Sequence, residues 1–226
     1  MTRSSVPIIT IDGPSGSGKG TLANALGKAL GWTILDSGAL YRAIAFDSWR
    51  KKIDFHGVEE LKILELIDSL NIELKSDKVH LNGKDISGDI RTEEVGFMAS
   101  KIASNPKLRR GILDLQRSFV RSPGLVADGR DMGTVVFPEA RLKIFLTASA
   151  SVRGERRFIQ LKNKGLSVSL PDLVRQIRER DFQDENRQVA PLKAAPEAVI
   201  LDSSEHTIEE VLDLAMLEVK KRGLAA

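Results

Sequence analysis

The sequence predicts an α/β protein whose core is a mostly parallel sheet covered by helices on both faces. Three observations predict it. Val6 to Ile11 is a short, β-branched apolar run ending at Asp12-Gly13, and a glycine-rich stretch then leads directly into a helical pattern. The alternation of short apolar runs with amphipathic segments continues along most of the chain, and parallel strands need such crossover helices between them. One stretch, about Asn71 to Gly88, alternates with period two and reads as an antiparallel insert in that rhythm.

The elements follow in order. Lys19 to Leu30 carries apolar residues at Leu22, Ala25, Leu26, Ala29 and Leu30 and is closed by Gly31, so it predicts a helix. Trp32 to Leu35 is a second strand and Ala39 to Arg50 a second helix. Val58 to Leu70 is amphipathic and helical. In the insert, Ile72, Leu74, Val79 and Leu81 alternate with polar residues around Ser76-Asp77, and Asn82-Gly83 supplies a turn. Helices are expected near Thr92 to Ala103 and Pro106 to Val120, with core strands at Leu125 to Ala127 and Leu142 to Leu146. Two charged helices follow, about Ala150 to Lys164 and Leu170 to Val189, then a strand at Val199 to Leu201 and a helix from Ile208 to Arg222. No internal repeat or low-complexity segment appears.

At 226 residues the chain is long enough for one well-buried domain with inserts or for two small ones. It has no cysteine, which excludes a disulfide framework and a thiolate metal site and fits a reducing compartment. No apolar run approaches the ~20 residues that cross a bilayer, and Met1 to Pro7 lacks the apolar core of a signal peptide, so a cytoplasmic protein is expected. Lys plus Arg outnumber Asp plus Glu by only 34 to 31, too little to argue for nucleic acid as a partner. The excess is local: Arg141 to Lys193 holds twelve Lys or Arg against six Asp or Glu. Such a zone suits nucleotide phosphates or nucleic acid, and a solvated helical face would look the same.

GPSGSGKGT, which is Gly13, Pro14, Ser15, Gly16, Ser17, Gly18, Lys19, Gly20 and Thr21, satisfies the spacing G-x-x-x-x-G-K. A glycine loop turns several backbone N–H groups toward a polyphosphate, the helix beginning at Lys19 presents its positive end, and the lysine adds a mobile cation. A ligand-free glycine turn would share the glycines alone; the strand before and the helix after point to nucleotide phosphate. Gly20 occupies the place where a Ser or Thr usually binds Mg²⁺, and the hydroxyl comes one residue later at Thr21.

Arginines recur outside the loop: Arg42 after Asp36-Ser37-Gly38, Arg109 and Arg110, and Arg153, Arg156 and Arg157 at helical spacing. Arg180, Asp184 and Arg187 fall at i, i+4 and i+7 and are expected on one helix face. Singly, each is well explained as a surface ion pair. Together they suit phosphoryl transfer between nucleotides, where an acceptor phosphate, a donor triphosphate and the moving charge all need neutralising. Asp128-Gly129-Arg130-Asp131 could be a metal site, an ion pair in a turn, or a substrate reader, and local spacing leaves these open. His56, His80 and His206 adjoin no ligand-like cluster and read as structural or surface residues.

GPSGSGKGT, LDSGALYR, SGDIRT, VADGRDMGTVVFP and IRERDFQDENR, in this order and spacing, resemble the bacterial cytidylate kinases, which phosphorylate CMP and dCMP with ATP and Mg²⁺. The resemblance runs from about Ile8 to the final helix. It implies a single P-loop nucleoside monophosphate kinase domain over 1–226 with a parallel five-stranded core. It also implies an acceptor-binding region over 38–105 that includes a small β insert near 71–88, and a helical lid over 153–168. It favours a monomer, with no nucleic-acid or membrane partner.

Residue by residue, the resemblance implies that Gly13 to Thr21 hold the ATP phosphates with Lys19 bridging donor and acceptor, and that Ser15 also reaches CMP. Arg42 and Arg130 would clamp the CMP phosphate, Ser37 and Tyr41 shape its site, and Ser100, Arg109 and Asp131 face the cytosine. Arg180 and Asp184 would meet the sugar hydroxyls, and Arg187 would reach the same site. Arg153, Arg156 and Arg157 would meet ATP as the lid closes, with Lys19, Arg130 and Arg157 serving catalysis. Cytosine offers an amine at N4 and acceptors at N3 and O2, which matches a carboxylate with cationic or hydroxyl donors; uracil would aim a carbonyl at the carboxylate. Asp128, at the end of an apolar strand, would orient Mg²⁺ through water, the competing reading being a structural partner for the loop. The alternatives are a kinase for another small acceptor, a nucleic-acid-binding ATPase using the basic zone, and a nucleotide-binding regulator without turnover.

Overall fold

A computed structural model describes residues 6–53, 60–75, 78–163 and 165–225. The chain begins β1 (Ile8–Asp12), α1 (Lys19–Leu30), β2 (Thr33–Asp36), α2 (Ser37–Arg50) and α3 (Glu60–Ser69). The insert follows as β3 (Ile72–Lys75), β4 (Lys78–Leu81) and β5 (Lys84–Asp85), then α4 (Glu93–Ser104) and α5 (Pro106–Arg117). The remainder is β6 (Leu125–Gly129), β7 (Leu142–Thr147), α6 (Ala150–Asn163), α7 (Leu170–Asn186), β8 (Val199–Asp202) and α8 (Ile208–Lys221).

Five strands form one sheet in the order β2-β6-β1-β7-β8, with every pairing parallel. β1 lies at its centre, which explains its unbroken apolar run: both faces are covered. Alternate side chains of the sheet feed two cores. Ile9, Ile11, Val126 and Ile144 pack with Leu22, Leu26, Val211 and Ala215 of α1 and α8. Leu125 and Ala127 face the other way, into a larger cluster with α2, α3, α4, α5 and the insert. In a parallel sheet, ligands collect beyond the carboxyl ends of the strands. Here Asp12, Asp36 and Asp128 reach that edge side by side, Asp36 opposite Asp128 and Asp12 opposite Gly129.

The helix ends follow their sequence signals. Gly18 and Gly31 bracket α1 in left-handed conformations, φ 97° and 66°. Asp36, Thr92 and Asn105 cap α2, α4 and α5 through their side chains, and Thr207 with Glu210 forms a reciprocal capping box on α8.

The expected insert is present and gains a third strand, β5, beyond the Asn82-Gly83 turn. Asn82 and Gly83 both have positive φ, 49° and 81°, as a tight hairpin turn requires. The Ser76-Asp77 turn, the first residues of the Val58 helix and His56 lie outside the described residues. His80 lies on β4, and His206 pairs with Glu210 at 3.5 Å beside the cap of α8.

Several boundaries differ from expectation. β1 starts at Ile8 because Pro7 has no N–H to donate; its carbonyl accepts from Leu125 instead. α5 stops at Arg117 and α7 at Asn186, each about three residues early. Arg187 is therefore extended, φ −66° and ψ 141°, and does not continue the helix face of Arg180 and Asp184. The chain turns through Ala190 at φ 48° so that Leu192 N–H reaches back to the Asp184 carbonyl, and that reversal ends the helix. An element with no sequence forecast is the single π turn Met132–Val136, closed by i→i+5 bonds from Val136 and Phe137 to Asp131 and Met132.

Candidate active site

The glycine loop leaves β1 at a point where no side chain fits. A Cβ on Gly13 would lie 2.0 Å from the Leu146 carbonyl oxygen, and Gly16 and Gly18 have φ of 80° and 97°. The first turn of α1 holds no acidic residue, so its positive end is left for an external anion. Lys19 is buried, and its ammonium donates to the Pro14 carbonyl across the loop at 3.1 Å. The loop is braced from behind. Arg153 donates to the Ser15 carbonyl at 3.0 Å, and the Ser203 hydroxyl to the Ser17 carbonyl at 3.0 Å.

Beside Lys19 lies Asp128 at the end of β6, buried, with Oδ1 lacking a hydrogen-bond partner among the described residues. Burial and the neighbouring Asp36 charge push its carboxyl up to about 8, against the pull of Lys19 and Arg130. Burial and the Arg130 charge lower the Lys19 amine to about 7, against the opposing pull of Asp128, Asp36 and Asp12. A Cβ on Gly20 would sit in contact with Asp128 Oδ2, at 3.9 Å, so the missing side chain leaves that carboxylate oxygen uncovered on the loop side. Among the described residues there is no group of three or more His, Cys, Asp or Glu able to hold a metal ion. Mg²⁺ keeps several waters and commonly takes one or two carboxylates plus substrate phosphates, and an orphaned carboxylate uncovered on the loop side fits that habit.

Beyond Asp128, carboxylates hold Arg130 and Arg109. Arg130 donates through Nε to Asp184 at 2.8 Å, and Arg187 lies 3.9 Å from the other oxygen of Asp184. Arg109 and Asp131 form a hydrogen-bonded ion pair with both side chains nearly buried, and Arg109 also donates to the Ala103 carbonyl at 3.1 Å. Burial raises the Asp131 carboxyl while Arg109 and Arg187 restrain it. Tyr41 is buried near the same charges; burial pushes its phenol up to about 12, and its hydroxyl has no partner among the described residues. Arg42 spans from α2 to the Ile90 and Thr92 carbonyls at 2.9 and 3.1 Å. Burial lowers Arg42 and Arg180 below the usual guanidinium range, helped by the Arg180 charge for Arg42 and the Arg130 charge for Arg180, while nearby Glu93 opposes both shifts. Gln116 fixes the buried Ser37 hydroxyl at 2.9 Å, and Ser100 is exposed on α4.

The three arginines of α6 are placed differently from one another. Arg153 is buried in a two-pronged pair with Asp181 of α7, at 2.9 Å through Nη1. Arg156 holds Ser203 by its hydroxyl and carbonyl, at 3.1 and 2.6 Å. Arg157 is exposed and pairs at 2.9 Å with Glu93 at the start of α4.

A family model described as cytidylate kinase matches residues 9–221. The chain belongs to the cytidylate kinase family. Curated members include the cytidylate kinase of Pseudomonas fluorescens strain SBW25, 52% identical over 97% of each chain. The cytidylate kinase of Methylococcus capsulatus strain Bath is 50% identical, over 96% of this chain and 99% of its own. A crystal structure of an uncharacterized protein from Eubacterium ventriosum covers 96% of this chain and 99% of its own with a TM-score of 0.53 at 10% identity, a likeness of fold alone.

For a cytidylate kinase family member, the carboxyl edge of the sheet gathers the loop, Lys19, Asp128, Arg130, Asp131, Arg109, Tyr41, Arg180, Asp184 and Arg187 into one charged neighbourhood. The sequence reading missed the groups that hold these residues: Asp12, Asp36, Gln116, Asp181, Ser203 and Glu93. For Asp36 a signal existed, since it directly precedes a helix and ends an apolar strand as Asp128 does. The others act across long separations in the chain and carry no local pattern.

Proposed function

We propose that the protein transfers the γ-phosphoryl group of ATP to CMP and dCMP, giving ADP and the corresponding diphosphates. The observation that carries the assignment is the buried Arg109–Asp131 pair, next to Arg130, whose charge acts on both Asp131 and the loop lysine. In such a pair the carboxylate accepts from the cytosine amine, and the guanidinium donates to the ring acceptors. The same pair opposes uracil, which would leave the carboxylate facing a carbonyl oxygen.

The backbone of Gly13 to Thr21 binds the ATP phosphates, and Lys19 exchanges its Pro14 contact for phosphate oxygens between donor and acceptor. Arg42 and Arg130 grip the CMP phosphate, with Ser15, Ser37 and Tyr41 around it. Arg180 and Asp184 take the sugar hydroxyls, with Arg187 beside them. The acceptor phosphate is already anionic near neutral pH, so the attack needs positioning and charge neutralisation and no strong general base. Mg²⁺, when bound, neutralises and orients the triphosphate; Asp128 holds its water shell. The segment around α6 acts as a lid that excludes water, with Arg157 closing on ATP. No described helix is long and apolar enough to cross a membrane. The resemblance favours a monomer in the cytoplasm.

The test is ADP production from ATP and Mg²⁺ with CMP, dCMP, UMP and AMP as separate acceptors, for the wild type and Asp131→Ala. Strong use of CMP and dCMP over UMP, with that preference reduced in the variant, is the expected result. Equal use of CMP and UMP by the wild type would overturn the base-reading role, and no turnover of any nucleotide would overturn the assignment itself.

A further inference from the structure

Asp12 is buried at the end of β1, immediately before the phosphate loop, and the reaction described above gives it no task. Its carboxylate is spent on two consecutive backbone amides 120 and 121 residues away. Oδ1 accepts from Met132 N–H and Oδ2 from Gly133 N–H, each at 2.8 Å. These amides open the π turn Met132–Val136, and the residue in the cap position of that turn is Asp131.

An aspartate at such a position ordinarily folds its own side chain back onto the following amides, because they have no partner within the turn. Asp131 does not cap; its carboxylate is engaged by Arg109. Asp12 supplies the cap from another strand. The fit is close: a Cβ on Gly133 would lie 2.8 Å from Thr10 Oγ1 and 3.1 Å from Lys143 Cδ, so the turn rests directly on β1 and β7. One carboxylate thus ties the residue preceding Gly13 to the residue following Asp131.

We propose that Asp12 is a positioning residue: by taking the first two amides of the turn, the second of which is one that Asp131 would otherwise cap, it keeps the Asp131 carboxylate turned toward Arg109 and the base, in register with the phosphate loop. The proposal rests on the reading of Asp131 as the base reader. Without Asp12, the Gly133 amide is unpartnered at the place a capping side chain reaches, and Asp131 is drawn toward it and away from Arg109.

The experiment compares purified wild type, Asp12→Asn and Asp12→Ala in steady-state assays with CMP and UMP, with thermal melting of each protein. In Asp12→Asn one carboxylate oxygen becomes a carboxamide NH₂, a donor that opposes a backbone N–H, so one of the two bonds is lost. Its preference for CMP over UMP in kcat/KM is expected to fall about tenfold or more, through KM for CMP, with KM for ATP held within about twofold. Asp12→Ala is expected to lose more of the preference. The double variant Asp12→Asn with Asp131→Ala is expected to show no further loss of preference than Asp131→Ala alone, since both act through one carboxylate. Melting-point loss with the wild-type preference intact in both single variants would overturn the proposal, as would failure of both to fold, which would make Asp12 purely structural. A wild type without any CMP preference would instead refute the Asp131 reading, and this proposal with it.

Discussion

The glycine loop and the wall of charged side chains proposed to bind the acceptor meet at the carboxyl edge of one sheet, yet they are built on different plans. The loop is one contiguous run, Gly13 to Thr21, whose chemistry lies in backbone N–H groups and a single lysine. The wall draws Arg42 from α2, Arg109 from α5, Arg130 and Asp131 from the end of β6, and Arg180 and Asp184 from α7. Its chemistry lies in charged side chains, Arg109 and Arg130 held by carboxylates and Arg42 by backbone carbonyls. A backbone cradle needs only a turn that fits. A side-chain wall needs each arginine to have a partner that fixes it yet can yield to substrate, and Asp184 shared between Arg130 and Arg187 has that form.

The comparison can be broken most forcefully at Lys19, the one charged side chain within the loop. Lys19→Met is expected to lower kcat on the order of 10²–10³-fold while CMP binding, measured by calorimetry, stays near wild type. A matching loss of CMP affinity would mean that the loop and the wall are not separable.

On the wall, Arg109→Met strands the buried Asp131 carboxylate. Urea unfolding at neutral pH is expected to show a loss of about 3–5 kcal/mol. The loss should shrink as pH falls, because burial already raises the Asp131 carboxyl and a protonated group carries no stranded charge.

A third effect sharpens the contrast through pH. The Lys19 amine lies near about 7 without ligand, and a bound triphosphate raises it. Above that pH ATP binding takes up a proton, so ATP affinity is expected to weaken by up to about tenfold per pH unit. Calorimetry at pH 8 in two buffers of different ionisation enthalpy would show the uptake; CMP binding, which does not recruit this lysine alone, should show less.

The smallest effect is expected where α6 meets α4. Glu93→Gln removes the exposed pair with Arg157 and should change stability by no more than about 0.5 kcal/mol. Arg157→Ala should lower turnover more than it weakens CMP binding, and the reverse order would remove Arg157 from the lid.

The same contrast explains what could be read in the sequence. The loop, the parallel core and the Asn82-Gly83 turn were legible because each is specified by neighbours in the chain: glycines where φ is positive, apolar residues at the period of the element. The candidate arginines were legible as residue types but not as pairs. Nothing near Arg153 announces Asp181, and nothing near Asp12 announces Met132 and Gly133, because those partners are chosen by the packing of the whole sheet. Arg187 shows the limit of spacing arguments: its i+7 position placed it on a helix that ends one residue earlier.

The insert has a consequence for how the molecule opens. Ile72, Val79, Leu81 and Ile86 are buried in the same cluster as Leu40 and Ile44 of α2, Ile102 of α4 and Ile112 of α5, so the three small strands are not an appendage. Ile11, Leu26 and Val211 belong to the separate cluster on the other face of the sheet. Amide hydrogen exchange is therefore expected to protect β4 and α2 to the same degree and release them together, independently of α1 and α8. The part of the wall carried by α2 and α5, with Arg42 and Arg109, can then loosen around a nucleotide as one cooperative unit while the loop stays folded.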